Sequence, residues 1–138
     1  MTERWNNFYD RFAATADRFG KRTAIELLHR DSLESVTYAE LKKRSESAAR
    51  FLLSENLSPG DKCVILADNE IAWCAVYLGI LRLGAVAVPF DTHYSPQQIA
   101  TLLRDCDAKI LFTTEDYFAA VEEARKLAGS RLKLSLLR

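Results

Sequence analysis

Net charge is the first thing missing: 19 Lys and Arg balance 19 Asp and Glu over 138 residues. That removes the electrostatic footprint expected of a nucleic-acid or anionic-membrane binder. Glycine is scarce as well. Gly20, Gly60, Gly79, Gly84 and Gly129 never fall as G-x-G, which excludes the dinucleotide turn, where backbone must approach a pyrophosphate closely at a helix N-terminus. Gly79 and Gly84 have the separation of a Walker loop, yet Ala85-Val86 stands where the lysine and hydroxyl residue would hold phosphate and magnesium. Chance spacing accounts for the pair. Cys63, Cys74 and Cys106 are odd in number and have no C-x-x-C spacing, so neither a disulfide framework nor a zinc ribbon can be drawn from them. Free thiols in a cytoplasmic protein are the expectation. The opening Met-Thr-Glu-Arg-Trp-Asn-Asn carries mixed charge and no apolar core, so no secretory signal is expected. One stretch imitates a membrane span, Ile71 to Phe90, where Arg82 is the sole charge. A spanning helix would have to carry Arg82, Gly84 and Pro89 together, whereas a buried helix ending at Gly84 and followed by a short strand explains all three.

What is present is the composition of a soluble globular domain, 49% hydrophobic and 28% charged. A single domain over residues 1–138 is expected, large enough to remove roughly 68% of the unfolded chain's surface from water. Trp5, Phe8, Tyr9, Phe12, Ala16 and Phe19 recur at helical spacing and place an aromatic stripe on one face of an amphipathic helix that Gly20 ends. Thr23 to Leu28 and Ser35 to Tyr38 read as a hairpin around Asp31-Ser32. Thr37 and Glu40 form a capping-box pattern, opening a helix whose apolar face is Leu41, Ala48, Ala49, Leu52 and Leu53. After the turn Ser58-Pro59-Gly60-Asp61 the chain alternates: strand Lys62 to Ala67, helix Glu70 to Leu83, strand Ala85 to Pro89, helix Pro96 to Cys106. Strand Lys109 to Thr113, helix Glu115 to Ala128 closed by Gly129, and strand Arg131 to Leu137 complete the pattern. The predicted fold is α/β, a mainly parallel sheet with helices on both faces, preceded by the amphipathic helix and the hairpin, so that Val64 and Val86 are expected to be buried between sheet and helix, where an Asp in place of either should prevent folding. There are no internal repeats.

Ligands of parallel α/β sheets gather beyond the carboxyl ends of strands, here Asp68-Asn69, Phe90 to Tyr94 and Thr113 to Asp116. Asp68 resembles the acidic position of a receiver-type domain, but the phosphorylatable Asp and the Lys required later do not follow in order. Asp68 or Asn69 as a helix cap is the plainer expectation, and Ser95-Pro96-Gln97-Gln98 is another capping box. His29 and His93 have no partner at ligand spacing, and His93 reads as a solvated loop histidine. Cys63 alternates with Ile65 and Ala67, so packing rather than nucleophilic chemistry is expected of it. No G-x-S-x-G occurs. The residues alone describe an α/β domain without a complete active site.

Four segments carry more. Phe19-Gly20-Lys21-Arg22-Thr23-Ala24-Ile25, Val36-Thr37-Tyr38-Ala39-Glu40-Leu41, Ser58-Pro59-Gly60-Asp61-Lys62-Cys63-Val64 and Leu81-Arg82-Leu83-Gly84-Ala85-Val86-Ala87-Val88-Pro89-Phe90-Asp91 stand in this order. Together they resemble the N-terminal part of the AMP-forming acyl-CoA synthetases, the superfamily that also holds luciferases and nonribosomal adenylation domains. The second and fourth resemble the first two core motifs of that family, and the likeness runs from Phe19 to about Thr114. Tyr77-Leu78-Gly79-Ile80-Leu81 is more similar to the fatty acyl-CoA ligase branch than to amino-acid adenylation domains. Asn69-Glu70-Ile71-Ala72-Trp73 departs from the family's Asn-x-Pro-Glu-Trp, losing a helix-starting proline and an acid while keeping the aromatic anchor.

The resemblance implies an enzyme that activates a carboxylic acid with ATP to an acyl adenylate and passes the acyl group to coenzyme A, with magnesium. The phosphate loop, the ribose-binding Asp and the catalytic Lys belong later in the family pattern than Arg138. It therefore implies no catalytic, cofactor-binding or metal-binding residue in this chain, which is expected to be inactive alone. Its expected partner is the rest of the synthetase large domain, with dimerisation through exposed apolar surface when that is missing, the candidates being Trp5, Phe8, Phe12 and Phe19 of the aromatic stripe and Leu132, Leu134 and Leu136 of the last strand. The alternative expectation is a self-standing α/β binding or interaction module without catalysis.

Overall fold

In the computed structural model, residues 6–137 are described; Trp5 of the aromatic stripe lies outside them. The elements run α1 (Phe8–Phe19), β1 (Thr23–Leu28), β2 (Leu33–Thr37), α2 (Tyr38–Ser54), β3 (Lys62–Leu66), α3 (Ile71–Arg82), β4 (Val86–Pro89), α4 (Pro96–Cys106), β5 (Ile110–Thr113), α5 (Glu115–Ala128) and β6 (Lys133–Leu136). Strands β1 and β2 form an antiparallel hairpin, and the other four form a parallel sheet in the order β4-β3-β5-β6. Every junction of the expected alternation is therefore present, with ends moved by one or two residues.

Local chemistry explains most of the punctuation. Thr37 accepts from the Glu40 backbone N–H while the Glu40 carboxylate accepts from the Thr37 N–H, and Ser95 and Gln98 repeat the arrangement at α4. Gly84 turns the chain from α3 into β4 with a φ of +70°, where any other residue would be strained. Gly20 does not end α1 in that left-handed way, since its φ is −51°. Its missing Cβ instead lets α1 pass close to Ala39, whose Cβ lies 3.3 Å from where one would stand.

Helices pack on both faces of the sheet. Val64, Leu66 and Leu111 pack with Ile99, Leu103, Val121 and Ala124 of α4 and α5, while Cys63, Ile65, Ile110 and Phe112 face Leu52, Val76 and Ile80 of α2 and α3. Each fully buried aliphatic side chain contributes about 1.5–3 kcal/mol relative to exposure. On the far side of the α2–α3 layer, Tyr9, Phe12 and Ala16 join Val36, Leu41, Ile71 and Leu78 in a third cluster.

Three burial expectations change. Phe8 is 63% exposed, because α1 is fixed with Tyr9, Phe12 and Ala16 inward: the Arg82 guanidinium lies over the Tyr9 ring and donates to its hydroxyl, and the Asn7 amide donates to the Leu81 carbonyl. Leu53 is exposed, since the buried stripe of α2 runs Leu41, Ser45, Ala49, Leu52 and Leu53 projects about 100° away from Leu52. Val86 is 44% exposed; it begins an edge strand opposite exposed Lys62.

Candidate functional site

The chain leaving β3 enters α3 on one face of the sheet, whereas the chain leaving β5 enters α5 on the other. The carboxyl ends of β3 and β5 are adjacent, so the switch-point crevice where such sheets take ligands lies between them. Here the crevice is bridged. The Tyr117 hydroxyl, in the first turn of α5, lies 2.9 Å from both carboxylate oxygens of Asp68. One phenol thus ties the carboxyl end of β3 to the start of the helix that follows β5. The bond to the Asp68 carboxylate favours the protonated phenol and holds Tyr117 above its usual pKa.

That contact overturns the expectation that Asp68 or Asn69 caps a helix. The N-cap of α3 is Glu70, and no side chain bonds the helix there. Asp68 and Tyr117 are 49 residues apart, and no linear spacing marks the pair. His93 is 92% exposed at its side chain, with its backbone N–H and Nδ1 each 2.8 Å from the Asp91 carboxylate. Those bonds hold the Asp91 carboxyl below its usual range and make a local turn. Cys63 is fully buried, and burial pushes its thiol up to about 12, which leaves it protonated and inert. Cys74 is only half-buried, and burial raises its thiol as well.

The electrostatics of the strand ends are acidic. Asp68, Asp91, Glu115 and Asp116 all follow carboxyl ends, a setting that repels a triphosphate. Among the described residues no cluster of three or more His, Cys, Asp or Glu is placed to hold a metal ion. No helix there is long and apolar enough to cross a membrane. The Thr113 hydroxyl at the end of β5 is buried without a hydrogen-bond partner among the described residues.

Open concave surface lies elsewhere, between α2, α3 and the β5–β6 side of the sheet. A groove of about 580 Å³ has Phe51, Ala72, Val76, Phe112 and Leu137 in its walls and Lys43 and Arg44 at its rim. Phe51 meets Phe112 edge-on at 6.1 Å between ring centres. Of the residues expected to carry exposed apolar surface, Phe8 is exposed and Leu136 lines this groove, whereas Phe12 and Leu132 are buried and Leu134 packs toward α4 and α5. The groove was not marked by the sequence pattern, since it depends on which face of β6 is left uncovered.

The family model for "AMP-binding enzyme" matches residues 12–137. The chain is 34% identical over 128 residues to surfactin synthase subunit 1 of Bacillus subtilis, covering 91% of this chain and 4% of that protein. It is 30% identical over 121 residues to oxalate–CoA ligase of Arabidopsis thaliana, covering 87% and 22% respectively. The crystal structure of the anthranilate CoA ligase AuaEII in complex with anthranoyl-AMP superposes with a TM-score of 0.84 at 20% identity, over 98% of this chain and 25% of that one. That structural likeness speaks for the fold. The chain thus spans a quarter or less of each of these three relatives.

Proposed function

Because the chain belongs to the AMP-binding enzyme family, we propose that it forms the opening portion, residues 1–138, of the large domain of an ATP-dependent, AMP-forming acyl-CoA ligase. The observation that carries this reading is the match over residues 12–137 combined with the short share of each relative that the chain spans. ATP, magnesium and coenzyme A are used by the intact enzyme. The acidic, bridged strand ends do not suit a triphosphate, so nucleotide contacts fall to residues outside this chain, and the chain alone is inactive. Its role is architectural: it supplies the parallel sheet and the α2–α3 layer on which the rest of the large domain is built. The free thiols and balanced charge suit a cytoplasmic enzyme.

The acid is a fatty acid on this reading. Its support is the wording of Tyr77 to Leu81, residues that serve packing: Tyr77 stacks on Trp73 at 5.3 Å and Gly79 admits α2. A second reading is favoured by the identity to surfactin synthase subunit 1, 34% against 30% for oxalate–CoA ligase. In it the parent is an adenylation unit that loads an amino acid within a longer synthase. The test is to express the complete coding sequence and to measure acyl-CoA and AMP formation with ATP, coenzyme A and a panel from acetate to palmitate beside amino acids. Medium and long fatty acids should give turnover and acetate little. Preference for amino acids supports the second reading, and a native stop codon after Arg138 returns the chain to a self-standing module.

A further inference from the structure

The charge balance of the whole chain does not hold locally. Where α1 hands over to β1, Arg18, Lys21 and Arg22 follow one another closely and all three are exposed. Both guanidiniums lie over the Phe19 ring, Arg18 at 5.0 Å and Arg22 at 4.7 Å from its centre. The ring therefore holds two like charges close together by their planes and leaves N–H edges free. Backbone acceptors at this corner are already taken: the Phe19 carbonyl accepts from the Arg22 N–H, that of Gly20 from Ala39 and that of Arg22 from Tyr38. None of the three cations makes an ion pair among the described residues. All three line one concavity of about 770 Å³, together with Phe19, Asp17 and Thr37 at the start of α2. The acids near it are engaged. Asp17 Oδ1 lies 2.6 Å from Lys42 Nζ, and the Glu40 carboxylate accepts from the Thr37 N–H at 2.8 Å.

We propose that this concavity is a phosphate-binding site, in which the edges of Arg18 and Arg22 and the Lys21 ammonium hold the oxygens of a phosphate group, free in solution or on a lipid headgroup. Charge density chooses phosphate over carboxylate, because three cations on one concavity match a dianion and a lone carboxylate leaves most of that charge unanswered. Geometry agrees. A guanidinium fork offers paired donors to two oxygens of one anion, and the Phe19 ring already fixes both forks, so little side-chain freedom is lost on binding. The repulsion of like charges crowded around one ring is relieved when an anion sits among them. Helix α1 packs on the side of the α2–α3 layer away from the sheet, so this site is separate from the acidic strand ends and the proposal does not depend on the ligase reading.

Arginine modification by phenylglyoxal, mapped by peptide mass spectrometry on the full coding product, reads this corner directly and ignores anions bound elsewhere. The probes are inorganic phosphate, pyrophosphate, and phosphatidylcholine vesicles with and without phosphatidic acid, each set against sodium chloride at equal ionic strength. Millimolar phosphate or pyrophosphate should slow modification of Arg18 and Arg22 by at least about fivefold beyond the chloride control, which accounts for simple screening. Exposed Arg30 in the hairpin turn should not change. Protection by the soluble anions assigns a free phosphate compound, and protection by phosphatidic-acid vesicles alone assigns a headgroup; either upholds the site. Lys21→Gln should weaken the protection about threefold by removing one charge. Glu40→Gln should strengthen it, since glutamine keeps the capping bond, as Gln98 does at α4, and removes the negative charge beside Thr37. Both positions are exposed, so circular dichroism should show an unchanged fold. Arg18 and Arg22 that react as fast with phosphate, pyrophosphate and both vesicles as in chloride would overturn the proposal. Protection by polyglutamate with none by phosphate would assign an acidic protein segment and overturn it as well.

Discussion

Replacing Gly79 by alanine should destabilise the protein, although alanine is the better helix former. A Cβ at position 79 would stand 2.8 Å from the Ala48 Cβ, 2.8 Å from the Ser45 carbonyl oxygen and 3.0 Å from the Ala49 backbone nitrogen. Two of those three atoms are backbone of α2 and cannot swing aside, so α2 and α3 must part by several tenths of an ångström along their shared contact. Overpacking of this kind costs about 1–3 kcal/mol, and the rigid partners place it near the top of that range. Helix propensity returns about 1 kcal/mol. The net expectation is a loss of about 2 kcal/mol, or roughly 6–8 °C in Tm for a chain of this size. Urea denaturation followed by circular dichroism should show a lower midpoint with an unchanged slope, the mark of altered stability in an unaltered fold. Combining Gly79→Ala with Ala48→Gly removes one of the three contacts and should restore only part of the loss. A Gly79→Ala protein as stable as the parent would refute the close approach of the two helices.

Val64→Asp should prevent folding, because Val64 is fully buried between the sheet and α4–α5 and an unpaired charge there costs more than about 4 kcal/mol; Val86→Asp, at an exposed edge, should change stability by less than about 1 kcal/mol in the same thermal melt. Of the three thiols, Cys63 should be the last alkylated at mildly alkaline pH, and only as the protein unfolds; mass spectrometry of the labelled peptides decides it, with rapid Cys63 modification counting against its burial. Asp61 accepts from the Ser58 backbone N–H at 2.8 Å and pairs with Lys109 at 3.1 Å, which holds its carboxyl below the ordinary value of 3.8. Its contribution is therefore present above that value and lost as pH falls through the lower folded one, so the stability gap between the parent and Asp61→Asn should be full at neutral pH and close in acid. A gap that widens in acid would contradict the assignment.

Features written in neighbouring residues could be read from the chain. Both capping boxes, at Thr37 with Glu40 and Ser95 with Gln98, close over three residues, and the parallel order of β4, β3 and β5 follows from alternating strands and helices. The family was legible for the same reason, since its motifs are short and ordered. What required the third dimension was set by distant partners. The bond from Tyr117 to Asp68 removes a cap that the sequence around Asp68 suggests. The choice of Tyr9 over Phe8 as the inward aromatic is made by Arg82 on another helix. Ser45 is fully buried with its hydroxyl donating to the Lys42 carbonyl at 2.7 Å, a small residue kept where two helices meet and invisible to a pattern that counts apolar side chains. The groove over β6 is of the same kind, a gap left by elements that are individually plain.

Acid-dependent ATP–pyrophosphate exchange, run in parallel on the 138-residue chain and on the full coding product, tests the central claim most directly. The account predicts no exchange from the chain at any carboxylic acid concentration, and exchange from the full product that appears on adding a medium or long fatty acid. Exchange catalysed by the chain itself, or a folded full product that shows none with any carboxylic or amino acid, would contradict it.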